Sequence, residues 1–137
     1  MYKAEKGFSL IELVVAISIL AIIMGLVVPA VFKQVARAKQ KTTRVAIRNV
    51  VQAIKEFQND VGAYPSSLED LRTKPADERL ARKWESAYIE NEPNDAWQHP
   101  LVYVLNPKGT QPPFDLYSWG PHGEGSPEDE WIREEIS

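Results

Sequence analysis

Cysteine is absent from this chain of 137 residues. That excludes a disulfide framework and any thiolate metal site. Histidine is almost as scarce, with only His99 and His122. No H-x-x-x-H pair, nucleophile motif or glycine-rich phosphate loop accompanies them, so a membrane-anchored, metal-binding enzyme built on these residues and nearby carboxylates is the weaker reading. Surplus positive charge is missing too: the formal net charge of −3 is not the strongly basic footprint of a nucleic-acid binder, and no nucleic-acid partner is expected. The length leaves room for one modest soluble domain beside a single long apolar run.

That run, GFSLIELVVAISILAIIMGLVVPAVF, extends from Gly7 to Phe32. From Leu13 to Phe32 its only polar residue is Ser18, and about twenty helical residues span roughly 30 Å, the thickness of a bilayer's hydrocarbon core. The apolar core is too long for an ordinary cleaved secretory signal, and the rest of the chain offers too little apolar surface to wrap it inside a soluble fold. A membrane span is the expected role. One residue conflicts with it: Glu12 places a carboxylate near the start of the span, where an unpaired charge costs several kcal/mol.

Past Phe32 the apolar residues Val35, Ala38, Val45, Ile47, Val50, Val51, Ile54, Phe57 and Val61 recur at near-helical spacing, which predicts that one helix continues as an amphipathic segment over 33–61. Its polar face is basic, with Lys33, Arg37, Lys39, Lys41, Arg44, Arg48 and Lys55 preceding the first acid, Glu56. Pro29 removes one backbone hydrogen bond and is expected to kink or loosen the helix, and Gly62 is expected to end it. From 62 to 137 the chain reads as a small domain. Ser66 and Glu69 have the spacing of a capping box, predicting a short helix from Ser67 to about Thr73, with a second helical piece between Asp77 and Ser86. LVYVL (Leu101–Leu105) and FDLYSW (Phe114–Trp119) read as two antiparallel strands that bury Val50, Ile54 and Phe57 of the helix. The fold class is therefore α+β, a long helix packed on a small antiparallel sheet.

KGFSLIELVVAISIL resembles the type III signal of the type IV pilin superfamily, with a short charged leader at 1–7, an assembly helix at 8–32, and Glu12 as the fifth residue after the Gly7–Phe8 junction. NDVGAYPSSLEDLRTKP, NDAWQHPLVYVLNP and FDLYSWGPHGEGSPEDEW are similar, in order, to three blocks of the major pseudopilins of type II secretion. The likeness covers nearly the whole chain and implies a type IV pilin-like fold. It also implies that prepilin peptidase cuts between Gly7 and Phe8 and methylates Phe8, and that Phe8, Glu12 and Pro29 serve assembly. Glu12 would pair with a neighbouring subunit's N-terminal ammonium, two charges offsetting each other's desolvation. The implied partners are further copies of the chain in a helical filament, minor pseudopilins, the inner-membrane assembly platform and the membrane itself. The subunit would sit in a bacterial inner membrane with its C-terminal domain in the periplasm, and the filament would drive folded proteins outward. A type IV pilus major subunit is the nearest alternative; Glu12 argues against a tip-most minor pseudopilin.

In such pseudopilins a calcium loop closes the C-terminal region. Here the resemblance assigns the carbonyls of Trp119, Glu124 and Pro127 and the carboxylates of Asp129 and Glu130 to calcium, while His122 stands where an acid is expected. A neutral imidazole suits a hard cation poorly. A weakened calcium site and a solvated acidic loop stand side by side as readings. DAWQHP also departs from the family's turn at Ala96, Gln98 and His99, so a different turn into the strand is expected, with Trp97 as a core or cap residue. The basic residues of 33–48 and the acids Glu128, Asp129, Glu130, Glu134 and Glu135 are expected to attract one another between staggered subunits.

Overall fold

The structure, a computed structural model, describes residues 7–136. In chain order it contains helix α1 (Leu10–Val61), a 3₁₀ turn (Leu68–Leu71), helix α2 (Glu78–Ala81), strands β1 (Val102–Leu105) and β2 (Phe114–Ser118), a second 3₁₀ turn (Glu128–Glu130) and strand β3 (Ile132–Arg133). The chain divides into two compact units, one ending at Arg37 and the other starting at Ala38.

In the first unit every described residue is exposed. The helix runs unbroken through Pro29, and Ser18 Oγ donates to the Val14 carbonyl at 2.7 Å, which satisfies the one hydroxyl of the apolar run within its own helix. The helix is long and apolar enough to cross a membrane, and none of its most apolar stretch is buried inside the chain.

The second unit is built on the other periodicity. Ile47, Val50, Ala53, Ile54, Phe57 and Val61 of α1 are buried with Leu71, Leu101, Phe114, Leu116 and Ile132, an apolar stripe at i, i+3, i+4, i+7 meeting one face of a sheet. Strands β1, β2 and β3 lie in that order and are antiparallel. Val102 opposes Tyr117 and Leu105 opposes Phe114. Phe114, Leu116 and Ser118 therefore face the helix, while Asp115 and Tyr117 are half-buried on the other side. Val45 stays exposed because it falls outside the angular sector that the core residues occupy on the helix, and the exposed Val35 belongs to the first unit. The third strand has only two residues, too few for an alternation to be visible in the sequence.

The segment between helix and sheet departs from the sequence reading in one respect. Ser67 precedes the first 3₁₀ turn without a side-chain cap, and the Ser66 N–H donates to Asp70 Oδ2 at 2.9 Å, so the predicted Ser66–Glu69 box does not form. The N-cap of the turn is Ser67, one residue later than the box requires, so the position that reaches back is Asp70, and Glu69 pairs with Arg72 at 3.1 Å instead. The segment is anchored by its aromatic residues. Trp84 Nε1 donates to the Asp70 carbonyl at 2.8 Å, Tyr88 to Asp60 at 2.9 Å and Tyr103 to the Pro65 carbonyl at 2.7 Å.

Both tyrosines hold their protons more tightly than usual. Burial, and then the hydrogen bond to Asp60, push Tyr88 up to about 12; burial, and then the Asp70 charge, push Tyr103 upward further. A phenol whose ordinary pKa is about 10 and is raised by folding stabilises the fold fully below pH ~10, and loses that contribution as pH climbs toward the folded value. The melting temperature of the full chain in detergent is therefore expected to fall above pH ~10, and to fall less steeply in Tyr103→Phe. Equal slopes in the two proteins would contradict the assignment.

Candidate functional site

The residues singled out by sequence fall in two places, the start of α1 and the C-terminal loop. At the first, Gly7 and Phe8 precede the helix and are exposed, Phe8 at 89%. The remainder of the leader, 1–6, lies outside the described residues. Ser9 and Glu12 form a reciprocal pair: the Glu12 N–H donates to Ser9 Oγ at 3.2 Å, and the Ser9 N–H donates to Glu12 Oε2 at 3.3 Å. This is a capping box, which satisfies two of the backbone donors that a helix start leaves open and places a negative charge at the positive end of the helix dipole. Sequence reasoning misses Ser9, although Ser-x-x-Glu ahead of an apolar run is a legible signal.

A second cluster tethers the turn before β1. Asp95 is 3% exposed, and its Oδ1 accepts from the N–H groups of Trp97 and His99, both at 2.9 Å. Its Oδ2 accepts from Ser118 Oγ at 2.7 Å, and that hydroxyl in turn accepts from the Gly120 N–H at 3.0 Å. The buried Thr43 of α1 accepts the Ala96 N–H at 3.1 Å. The turn and β2 thus meet at one carboxylate, with the C-terminal loop joined through Ser118 and the helix tied to the same turn through Thr43. Gln98 adopts a φ of 66°, the left-handed region that glycine occupies most cheaply. His99 has Nδ1 3.9 Å from Asp95 Oδ2, and the Ser118 hydroxyl donates its hydrogen bond to Asp95. Ser118, His99 and Asp95 therefore lack the serine-to-imidazole hydrogen bond that nucleophilic catalysis requires.

The C-terminal loop is held by aromatic and polar contacts. Tyr117 and Trp131 stack with ring centres 4.4 Å apart and planes 4° from parallel, and Trp119 meets Trp131 edge-on at 5.0 Å. The Arg133 guanidinium lies 5.2 Å from the Tyr117 ring and 5.0 Å from the Trp131 ring, within cation–π range. His122 Nδ1 donates to Glu130 Oε2 at 2.8 Å, and Arg133 to Glu128 at 3.1 Å. Among the described residues, no group of three acidic or histidine side chains comes together as a metal site would require. Glu134 meets Arg48 at 3.3 Å within the same chain, so one acid of the tail already has a basic partner on its own α1.

Comparison with known proteins bears on both places. Residues 30–134 match the family described as type II secretion system (T2SS), protein G, and residues 2–28 match the prokaryotic N-terminal methylation motif. The chain is 36% identical over 126 residues to type II secretion system core protein G of Pseudomonas aeruginosa, covering 89% of this chain and 87% of that one. It is 35% identical over 133 residues to the protein of the same name from Escherichia coli K12, with coverages of 92% and 88%. The crystal structure of the major pseudopilin from the type 2 secretion system of enterohaemorrhagic Escherichia coli superposes with a TM-score of 0.62 at 24% identity, over 73% of this chain and 85% of that one, a likeness of fold.

Proposed function

The chain belongs to the protein G family of type II secretion systems, and from that premise we infer that it is the repeating subunit of a periplasmic pseudopilus. The family is structural and not one of enzymes. The observation that carries the reading is the first unit's helix: an apolar surface long enough to cross a membrane, with none of it buried inside the chain and a capped carboxylate at its start. In the inner membrane lipid covers that surface; on extraction the only comparable cover is the same helix of other subunits, so assembly and membrane exit are one exchange of apolar neighbours. Prepilin peptidase cuts after Gly7 and methylates Phe8, which creates a cationic N-terminus beside Ser9. Glu12 is then the acid available to a neighbour's ammonium, and Pro29 is a point where the helix, missing one backbone bond, adjusts to packing. The second unit stays in the periplasm, and growth of the filament by the assembly platform, with minor pseudopilins at its tip, pushes folded proteins toward the outer membrane.

Two measurements test this reading. Mass spectrometry of protein from its native host is expected to show a chain beginning at Phe8 and carrying one methyl group; a chain still beginning at Met1 would end the reading. Loss of the subunit is expected to leave exoproteins folded in the periplasm, and undiminished export would also end it.

A further inference from the structure

The ion that such a fold implies does not fit the residues of the C-terminal loop. Calcium takes six to eight oxygen ligands, with carboxylates supplying the balancing charge. Of the three successive acids Glu128–Glu130, two already hold a basic or imidazole side chain: Glu130 accepts from His122 at 2.8 Å and Glu128 from Arg133 at 3.1 Å. The Pro127 carbonyl accepts the Glu130 N–H at 3.0 Å. The Ser126 carbonyl accepts the Trp131 indole at 2.8 Å. Oxygen atoms that an ion would draw inward are pointed at donors of the chain itself.

We propose that this loop, Trp119–Trp131, is closed by its own side chains in place of calcium, with His122 and Trp131 as the two latches. His122 stands where the family's acid is expected and reaches across the loop to Glu130, joining the loop's first turn to its last. Trp131 fixes the far end by stacking on Tyr117 of β2 while its indole N–H holds the Ser126 carbonyl. The backbone is shaped for this closure. Gly120 has a φ of +84°, and a Cβ there would lie 2.6 Å from the Glu130 carbonyl oxygen, so the two arms of the loop approach more closely than any other residue permits. At Gly123 a Cβ would lie 3.2 Å from the His99 ring, and that contact sets the loop against the turn held by Asp95. The two histidines, both departures from the expected pattern, therefore support the same loop from two sides. The direct bond and the stacked rings do what a bridging ion does elsewhere, bringing sequence-distant points of the loop together, and they need no free ion in the periplasm.

The test uses the full chain in detergent and is independent of filament formation. Thermal unfolding is expected to give the same melting temperature in millimolar calcium and in chelator, since an ion bound only by the folded state would raise it. His122→Ala and Trp131→Ala are expected to lower the melting temperature by the same amount in both solutions. A rise of several degrees with calcium in the unaltered protein, abolished by Asp129→Ala, would overturn the proposal, and so would a His122→Ala protein as stable as the parent. Terbium luminescence supplies a readout that does not depend on any variant folding. Trp119 and Trp131 would sensitise an ion bound in the loop, so the expected result is no terbium emission that calcium displaces, and such emission would count against the proposal.

Discussion

Glu12→Gln is expected to leave the subunit in the membrane at its normal level and to abolish pseudopilus assembly and secretion. Glutamine completes a capping box as glutamate does, so the Ser9 and residue-12 hydrogen bonds that start α1 survive the change. Only the charge is lost. On the proposed reading that charge offsets, in the filament, the desolvation of a neighbour's N-terminal ammonium, and leaving one partner of such a buried pair alone costs about 3–5 kcal/mol, a factor of roughly a hundred to several thousand per contact. Insertion is expected to be no worse, because a neutral side chain enters hydrocarbon more readily than a carboxylate. Glu12→Leu removes cap and charge together and serves as the comparison. Filament yield and exoprotein release, set against subunit levels in membrane fractions, separate the roles: failure of both variants assigns Glu12 to the ion pair, whereas normal filaments from Gln and none from Leu would assign it to the cap.

The second large effect is expected at Asp95. Asp95→Ala leaves the N–H groups of Trp97 and His99 and the hydroxyl of Ser118 without their acceptor in a site where the carboxylate side chain is 0% exposed. A hydrogen bond to a charged group contributes about 1.5–3 kcal/mol and a stranded buried donor costs about 1–3, and such terms do not add in full within one network. A loss of about 4 kcal/mol is the expected result, a fall of roughly 15–30 °C for a domain of this size. Asp95→Asn keeps the shape and one acceptor oxygen but turns an amide toward Ser118, and is expected to lose about half as much. Unfolding of the full chain in detergent measures both. An Ala variant within about 1 kcal/mol of the parent would mean that the turn, β2 and the loop do not depend on this carboxylate.

The two effects differ in kind. On the proposed reading the charge of Glu12 acts between subunits, while its hydrogen bonds with Ser9 cap the helix within one chain. Asp95 acts within one chain, through the hydrogen bonds that gather the turn and β2. The charges placed on the helix and the tail fall between these cases. Arg48–Glu134 shows that part of the expected attraction is met inside the chain, and with Arg48 at 65% exposure such a pair contributes at most about 1 kcal/mol.

Much of this protein is legible in its residues because the relevant physics is local or periodic. An unbroken apolar run of bilayer length, a helical stripe from Ile47 to Val61, and two β-rich runs separated by turn residues each declare themselves within a short window. Glu12 is conspicuous because a carboxylate is costly where it stands, so chemistry alone singles it out. Contacts between distant residues are not legible. Nothing in Asp95, an ordinary turn residue in sequence, indicates that Ser118 and the amides of its own turn will close around it. The partnership of His122 with Glu130, and the use of Arg133 by both Glu128 and two aromatic rings, depend on a loop whose path is set by where β2 ends and β3 pairs. The Ser66–Glu69 box fails for a similar reason: the first turn of that segment winds as a 3₁₀ helix under the hold of Trp84 and Tyr103, and the amide finds Asp70. Sequence by itself determined a helix long and apolar enough to span a membrane, its amphipathic continuation and the class of fold, since each derives from hydrophobic run length or period. Only the tertiary structure decided which polar side chains satisfy one another, because a hydrogen bond is specified to a few tenths of an ångström by backbone that lies far away along the chain.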